Sequence, residues 1–305
     1  NIQVNVSSIK KYGQLALQES QEINYLLGEC ESYQILGTYY YLTGVLDTAL
    51  QYYETALEKR IAYGDSTLIS GTVNNIANIY KQQGRYFQAL AKYREAEAFI
   101  PAANQQKKAR LKNNIGDIYT KIGQYAKALK LQLEAVDILK ESANPTDFAS
   151  SQLNIANIYE LMGDRSSDLK FYTAAADTFA RYNKKLDHAK VLNNIGNVKL
   201  KEGEIIAAIK HYKSAFVKYE ALSFVAGIAS TEQNLGLASR LLGDFAKAKI
   251  YFEKSIQKWQ QLENHTKEVE VFIYLGQLYL STNAYRKARQ VFQSAEALVS
   301  TSSGL

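Results

Sequence analysis

The chain has 305 residues, 47% hydrophobic and 22% charged, and its 36 Lys and Arg against 30 Asp and Glu leave a formal charge of +6. This is the composition of an ordinary globular chain, and no apolar run is long enough to span a membrane as a helix. The single cysteine, Cys30, excludes an intramolecular disulfide and leans toward a reducing compartment, while two prolines in the whole chain suit near-continuous helix with short turns.

In chain order, residues 8–20 align with the segment ending at Arg60, Ala16 standing 40 residues before Ala56, so the chain is expected to open on a helix that is the second half of a repeat. Seven full repeats follow, at about 23–61, 63–101, 104–141, 147–181, 185–221, 225–262 and 266–300, with a small polar tail at 301–305. The half-repeat and the tail lead to the expectation that the sequence is an excerpt of a longer protein, and that its uncapped ends could support self-association.

Each repeat has an anchor of minimal size: Gly37, Ala77, Gly116, Ala156, Gly196, Gly236 and Gly276, spaced by 40 residues except for one step of 39. Seven residues later comes a residue that tolerates the left-handed conformation and closes the first helix: Gly44, Gly84, Gly123, Gly163, Gly203, Gly243 and Asn283. Small residues stand twelve and nineteen after the anchor, as at Ala128 and Ala135, with Asp168 an exception. A large residue stands sixteen after it: Tyr53, Tyr93, Gln132, Tyr172, Tyr212, Phe252 and Phe292. The second helices are expected to end at signals such as Gly64, Asn144–Pro145, Asn183 and Asn264, and Asp65-Ser66-Thr67 and Thr146-Asp147 to supply capping oxygens for the helices that follow.

This set of positions resembles the tetratricopeptide repeat family, in its longer-helix subclass found in kinesin light chains, spindle-orientation adaptors and bacterial peptide-pheromone receptors. The resemblance implies an all-α, right-handed solenoid (superhelix) of antiparallel helix pairs, with residues 1–305 forming a single solenoid whose first helices line a concave groove. It also implies a non-enzymatic scaffold that binds a protein or peptide ligand.

Groove positions lie six before, three before and one after the anchor. They give Arg110 and Lys190, then Asn74, Asn113 and Asn193, then Asn78, Asn157 and Asn197 as candidate peptide-binding residues. An amide side chain both donates and accepts, so a ladder of them can satisfy an extended backbone of any sequence. Asn78, Asn157 and Asn197 are read as solvent-facing, whereas Asn75, Asn114, Asn154, Asn194 and Asn234 are read as hydrogen-bonding between neighbouring helices. The terminal-carboxylate clamp of chaperone-binding relatives does not fit, since Asp117 would repel a carboxylate. The densest basic group, Lys107, Lys108, Arg110 and Lys112, could meet acidic side chains of a partner.

No catalytic residue, cofactor or metal ligand set is read from the chain: His188, His211 and His265 stand in different repeats without partners at ligand spacing. No nucleic-acid reader motif accompanies the basic charge. A cytoplasmic setting is expected, with an extracytoplasmic sensor domain as the other reading. The alternative function is a ligand-sensing module of a larger signalling protein whose kinase, cyclase or transcription-factor output domain lies outside this excerpt.

Overall fold

The structure, a computed structural model, describes residues 6–142 and 144–302, and those residues form fifteen α-helices and no strand. Helix α1 (Val6–Glu22) precedes seven pairs. They are α2 (Leu26–Leu42) with α3 (Leu46–Tyr63), α4 (Ser66–Gln82) with α5 (Tyr86–Ala98), and α6 (Gln105–Lys121) with α7 (Tyr125–Leu139). Then come α8 (Pro145–Met162) with α9 (Arg165–Arg181), and α10 (Lys185–Lys201) with α11 (Ile205–Ala221). The last are α12 (Val225–Leu241) with α13 (Phe245–Gln261), and α14 (His265–Ser281) with α15 (Tyr285–Ser302). By their contacts the residues group into two compact units, Asn1–Asn154 and Ile155–Leu305, each built of the same repeat.

The turn inside every pair is one motif used seven times. Gly44, Gly84, Gly123, Gly163, Gly203, Gly243 and Asn283 all have positive φ. The next residue's N–H reaches back five positions to a helix carbonyl, as in Arg85 N to Tyr80 O at 2.8 Å and Asp244 N to Ser239 O at 2.9 Å. This satisfies carbonyls that the helix end would leave unpaired. The same closure ends several second helices, with Asn24, Asn183, Ser223 and Glu263 in the left-handed region.

Three boundary expectations need correction. Asn264 does not end α13; Glu263 does, and Asn264 caps α14 by accepting from Lys267 N. Asn144 likewise opens α8, accepting from Thr146 N at 3.2 Å with Pro145 in the first helical position, so the cap is Asn144 and not Thr146–Asp147. The expected tail at 301–305 is in part helix, since α15 runs to Ser302; residues 303–305 lie outside the described residues. Asp65 does cap α4, accepting from Thr67 N at 2.7 Å and Leu68 N at 3.0 Å.

Within each pair the anchor takes the face of the wedge residue. A Cβ added to Gly196 would stand 2.5 Å from the Tyr212 ring, and one added to Gly236 would stand 2.6 Å from Phe252, so neither ring could stay where it is. The wedges Tyr93, Tyr172, Tyr212 and Phe252 are fully buried, as are the small residues Ala89, Ala128, Ala135, Ala208 and Ala248 beside them. Cys30 is buried too, and burial pushes its thiol pKa up.

Asp168 occupies the small-residue position in the fourth repeat and is 1% exposed, with Oδ1 lacking a hydrogen-bond partner. Burial pushes its carboxyl above the usual carboxylate range, and the nearby Glu160 charge pushes the same way. The folded state therefore holds this proton more tightly than the unfolded chain, and the contribution to stability falls as pH rises from the unfolded carboxylate value through the raised folded one.

Equivalent substitutions in two repeats should have opposite signs. Ala128→Leu overpacks a filled site and should cost about 1–3 kcal/mol, whereas Asp168→Ala removes an unsatisfied buried acid and should gain about 1–3 kcal/mol at neutral pH. Urea unfolding at pH 7 and pH 4 checks both, and the gain from Asp168→Ala should shrink at the lower pH.

Candidate functional site

Three successive first helices, α4, α6 and α8, enclose a cavity of about 410 Å³ within the first unit. Its lining comes from recurring positions. Six before the anchor stand Gly71, Arg110 and Ser150; three before stand Asn74 and Asn113; two before stand Asn114 and Asn154. Ser70, Ile100, Lys107, Leu111 and Asp147 complete it. The helices place these side chains together because a repeat of fixed length returns the same register position to the same face.

Of the eight candidates read from the sequence, the cavity unites Asn74, Asn113 and Arg110. The others are placed elsewhere and differently. Asn78, Asn157 and Asn197 are not free amides; they are half-buried, and each Oδ1 accepts from the wedge tyrosine of its own repeat. Tyr93 Oη donates to Asn78 at 2.5 Å, Tyr172 Oη to Asn157 at 2.6 Å and Tyr212 Oη to Asn197 at 2.9 Å. Asn157 and Asn197 also accept from Asn194 and Asn234 of the following repeat, at 3.2 and 3.1 Å. Asn193 Oδ1 accepts from Asn234 at 3.2 Å, and Lys190 is exposed and pairs with Asp187 on its own helix at 3.4 Å. What these asparagines keep for a ligand is their Nδ2 donors, which bond to no described residue.

Asn114, Asn194 and Asn234 bond between repeats, Asn114 Nδ2 donating to Asn74 Oδ1 at 3.0 Å. The structural role of the asparagines after the anchor had a signal in the sequence. Where that position is Asn, the residue fifteen further on is Tyr, and where it is Leu237 the wedge is Phe252. In the third repeat both members change. Asp117 pairs with Lys81 at 2.9 Å, and Gln132 turns back to donate to Asn113 O at 3.0 Å.

The charges around the cavity are largely set before any ligand arrives. Arg110 directs Nε, at 2.8 Å, and a terminal nitrogen, at 2.6 Å, to the same Asp147 oxygen. Lys112 pairs with Glu134 on α7 at 2.5 Å. Lys107 has no charged or hydrogen-bonding partner for its ammonium among the described residues, which leaves the lining with one uncompensated positive charge.

Asn113 is 9% exposed, and its orientation follows from its neighbour. Ser151 donates its hydroxyl to Asp147 O at 3.1 Å and must therefore accept from Asn113 Nδ2, at 2.6 Å. Asn113 Oδ1 is then a buried acceptor without a partner. Lys107 entered the sequence reading only as part of a basic group, Asp147 as a capping residue, and Gly71 not at all.

Gly71 is the residue whose presence the fold does not explain. It lies inside α4 at ordinary helical φ, and a Cβ there would meet nothing within 4 Å. A glycine in a helix interior costs about 0.8–1.0 kcal/mol relative to alanine.

The fold and the repeated positions define a helical-repeat scaffold. Residues 68–141 and 227–300 match the family model described as "Tetratricopeptide repeat", so these two stretches are tetratricopeptide repeats. No curated protein matches it by sequence. Among solved structures it resembles the signal transduction ATPase with numerous domains from Pyrococcus horikoshii, which carries a tetratricopeptide repeat sensor, with 16% identity and a TM-score of 0.72. That match covers 100% of this chain and 48% of the other, so this chain spans about half that protein's length. It also resembles the apo form of RapI, with 14% identity over 90% of this chain and 99% of that one and a TM-score of 0.67. A Rap protein complexed with Competence and Sporulation Factor aligns with 15% identity over 88% and 79% of the two chains and a TM-score of 0.65. At these identities the likeness shows the fold.

The tyrosine–asparagine bond can be tested against the chain's own apolar version of it. Asn78→Leu alone leaves the buried Tyr93 hydroxyl unpartnered and should cost about 1–3 kcal/mol, while the double substitution with Tyr93→Phe, which copies Leu237 and Phe252, should recover most of that loss. A double-mutant cycle by chemical unfolding measures it.

Proposed function

We propose that this protein is a non-enzymatic binding scaffold that holds an extended peptide, or an extended segment of a partner protein, against its first helices, with the cavity between α4, α6 and α8 as the anchoring pocket. What carries the reading is Gly71. A helix-interior glycine that no packing demands lowers stability, and in this place its effect is to keep a cavity open. The lining fits an extended backbone: Asn74 Nδ2 donates to no described residue, Asn113 Oδ1 needs a donor, and Ile100 and Leu111 supply apolar wall. Asn157, Asn193 and Asn197 contribute N–H donors to ligand carbonyls, since each Oδ1 already accepts two bonds within the fold, whereas Asn78 Oδ1 accepts one.

A second reading makes the same scaffold a ligand-sensing module of a larger signalling protein. It is favoured by the likeness to an ATPase with a tetratricopeptide repeat sensor, of which this chain spans about half.

The pocket is tested by filling it. Gly71→Leu should raise helix stability by about 0.5–1 kcal/mol and abolish binding of peptides selected from a random extended-peptide library. Thermal unfolding gives the first quantity and fluorescence anisotropy the second. A filled pocket that binds the same peptides with unchanged affinity would remove the cavity from the function.

A further inference from the structure

The cavity asks for a particular ligand chemistry, and this inference rests on the scaffold reading above. We propose that the peptide residue seated between α4, α6 and α8 is acidic, its carboxylate paired with Lys107 while an N–H of the ligand backbone donates to Asn113 Oδ1.

The choice of Lys107 over Arg110 follows from what each already does. Arg110 has Nε and a terminal nitrogen on Asp147, so a ligand carboxylate reaching it would compete with a charge that is already in place. Lys107 lines the same cavity with its ammonium unpaired, and the lining keeps one excess positive charge. Asn74 adds to the preference: its Oδ1 already accepts from Asn114, while its Nδ2 bonds to no described residue and offers donors suited to a carboxylate or carbonyl oxygen.

Asn113 makes the complementary demand. Its amide is fixed by the Ser151 hydroxyl, which donates to Asp147 O and accepts from Nδ2, so Oδ1 is a buried acceptor held without a partner. Such an atom is costly to leave unmet, and a ligand N–H can satisfy it where a free carboxylate cannot. A peptide carrying Asp or Glu offers both groups on one segment. A free anion offers only one, and a basic peptide meets Lys107 with repulsion.

The experiment uses the full chain and a positional library of fluorescent hexapeptides in which each position is varied through Asp, Glu, Asn, Gln, Lys and Arg. The wild type should select peptides with one acidic position, bound roughly tenfold more tightly than their amide counterparts, with the difference shrinking as salt rises. Lys107→Gln should lose that preference while still binding the amide peptides, and Lys107→Glu should turn it toward Lys or Arg. Lys107 is partly exposed and its ammonium has no hydrogen-bond or ion-pair partner among the described residues, so both variants are expected to fold, which circular dichroism checks. An ester scan of the selected peptide should find one backbone N–H whose loss weakens binding about three- to tenfold.

If no peptide binds and Gly71→Leu changes nothing, the scaffold reading itself falls. Peptides that bind without acidic preference, or a preference that survives Lys107→Gln, would overturn the assignment to Lys107 alone. An ester scan that is flat at every position would overturn the role of Asn113.

Discussion

Everything in this fold depends on how closely the two helices of a pair can approach. The anchor is Gly or Ala because a large side chain of the second helix lies against it, a ring in every repeat but the third, and at Gly196 or Gly236 there is no room for even a Cβ beside Tyr212 or Phe252. Close packing of this kind leaves no slack: interiors are as dense as organic crystals, and a side chain that does not fit must move its neighbours. The small residues flanking the wedge, from Ala89 to Ala248, follow from the same constraint.

A buried tyrosine brings a hydroxyl that must be satisfied, and this decides the fate of the asparagines. Tyr93, Tyr172 and Tyr212 place their hydroxyls against Asn78, Asn157 and Asn197, and Asn194 and Asn234 then bridge to the last two from the next repeat. A row of amides that looks like a ligand ladder is thereby the polar seam of the packing, with its acceptors consumed and its donors left over. The third repeat departs from the pattern at both positions at once, Asp117 turning to Lys81 and Gln132 to Asn113 O.

That departure stands beside the cavity between α4, α6 and α8 in the first unit. Here the chain accepts features that stability alone would not keep: a glycine inside a helix, an unpaired lysine and a buried acceptor without a donor. Local choices that conflict with the fold's own preferences gather where a protein does something else, and their coincidence in one place is what distinguishes this cavity from the rest of the repeat surface.

The fold was legible in the sequence because repetition multiplies a weak signal. Seven anchors at nearly constant spacing, seven closing residues and a Tyr or Phe sixteen after most anchors leave one architecture, and each of the closing Gly or Asn residues does take positive φ. Less was legible at the ends of the second helices, where Ser223 and Glu263 adopt the left-handed conformation against their intrinsic preference because the turn, not the residue, dictates it. Of the site, sequence alone singled out Asn74, Asn113 and Arg110 by register, and the pairing of Asn78 with Tyr93 was readable as a correlation between two positions. Only the tertiary structure decided which groups remain free. A hydrogen bond or ion pair joins residues some 15 to 40 apart, such as Asn78 with Tyr93, Arg110 with Asp147 and Asn74 with Asn114, and sequence spacing states which residues share a face but not which atoms are already taken.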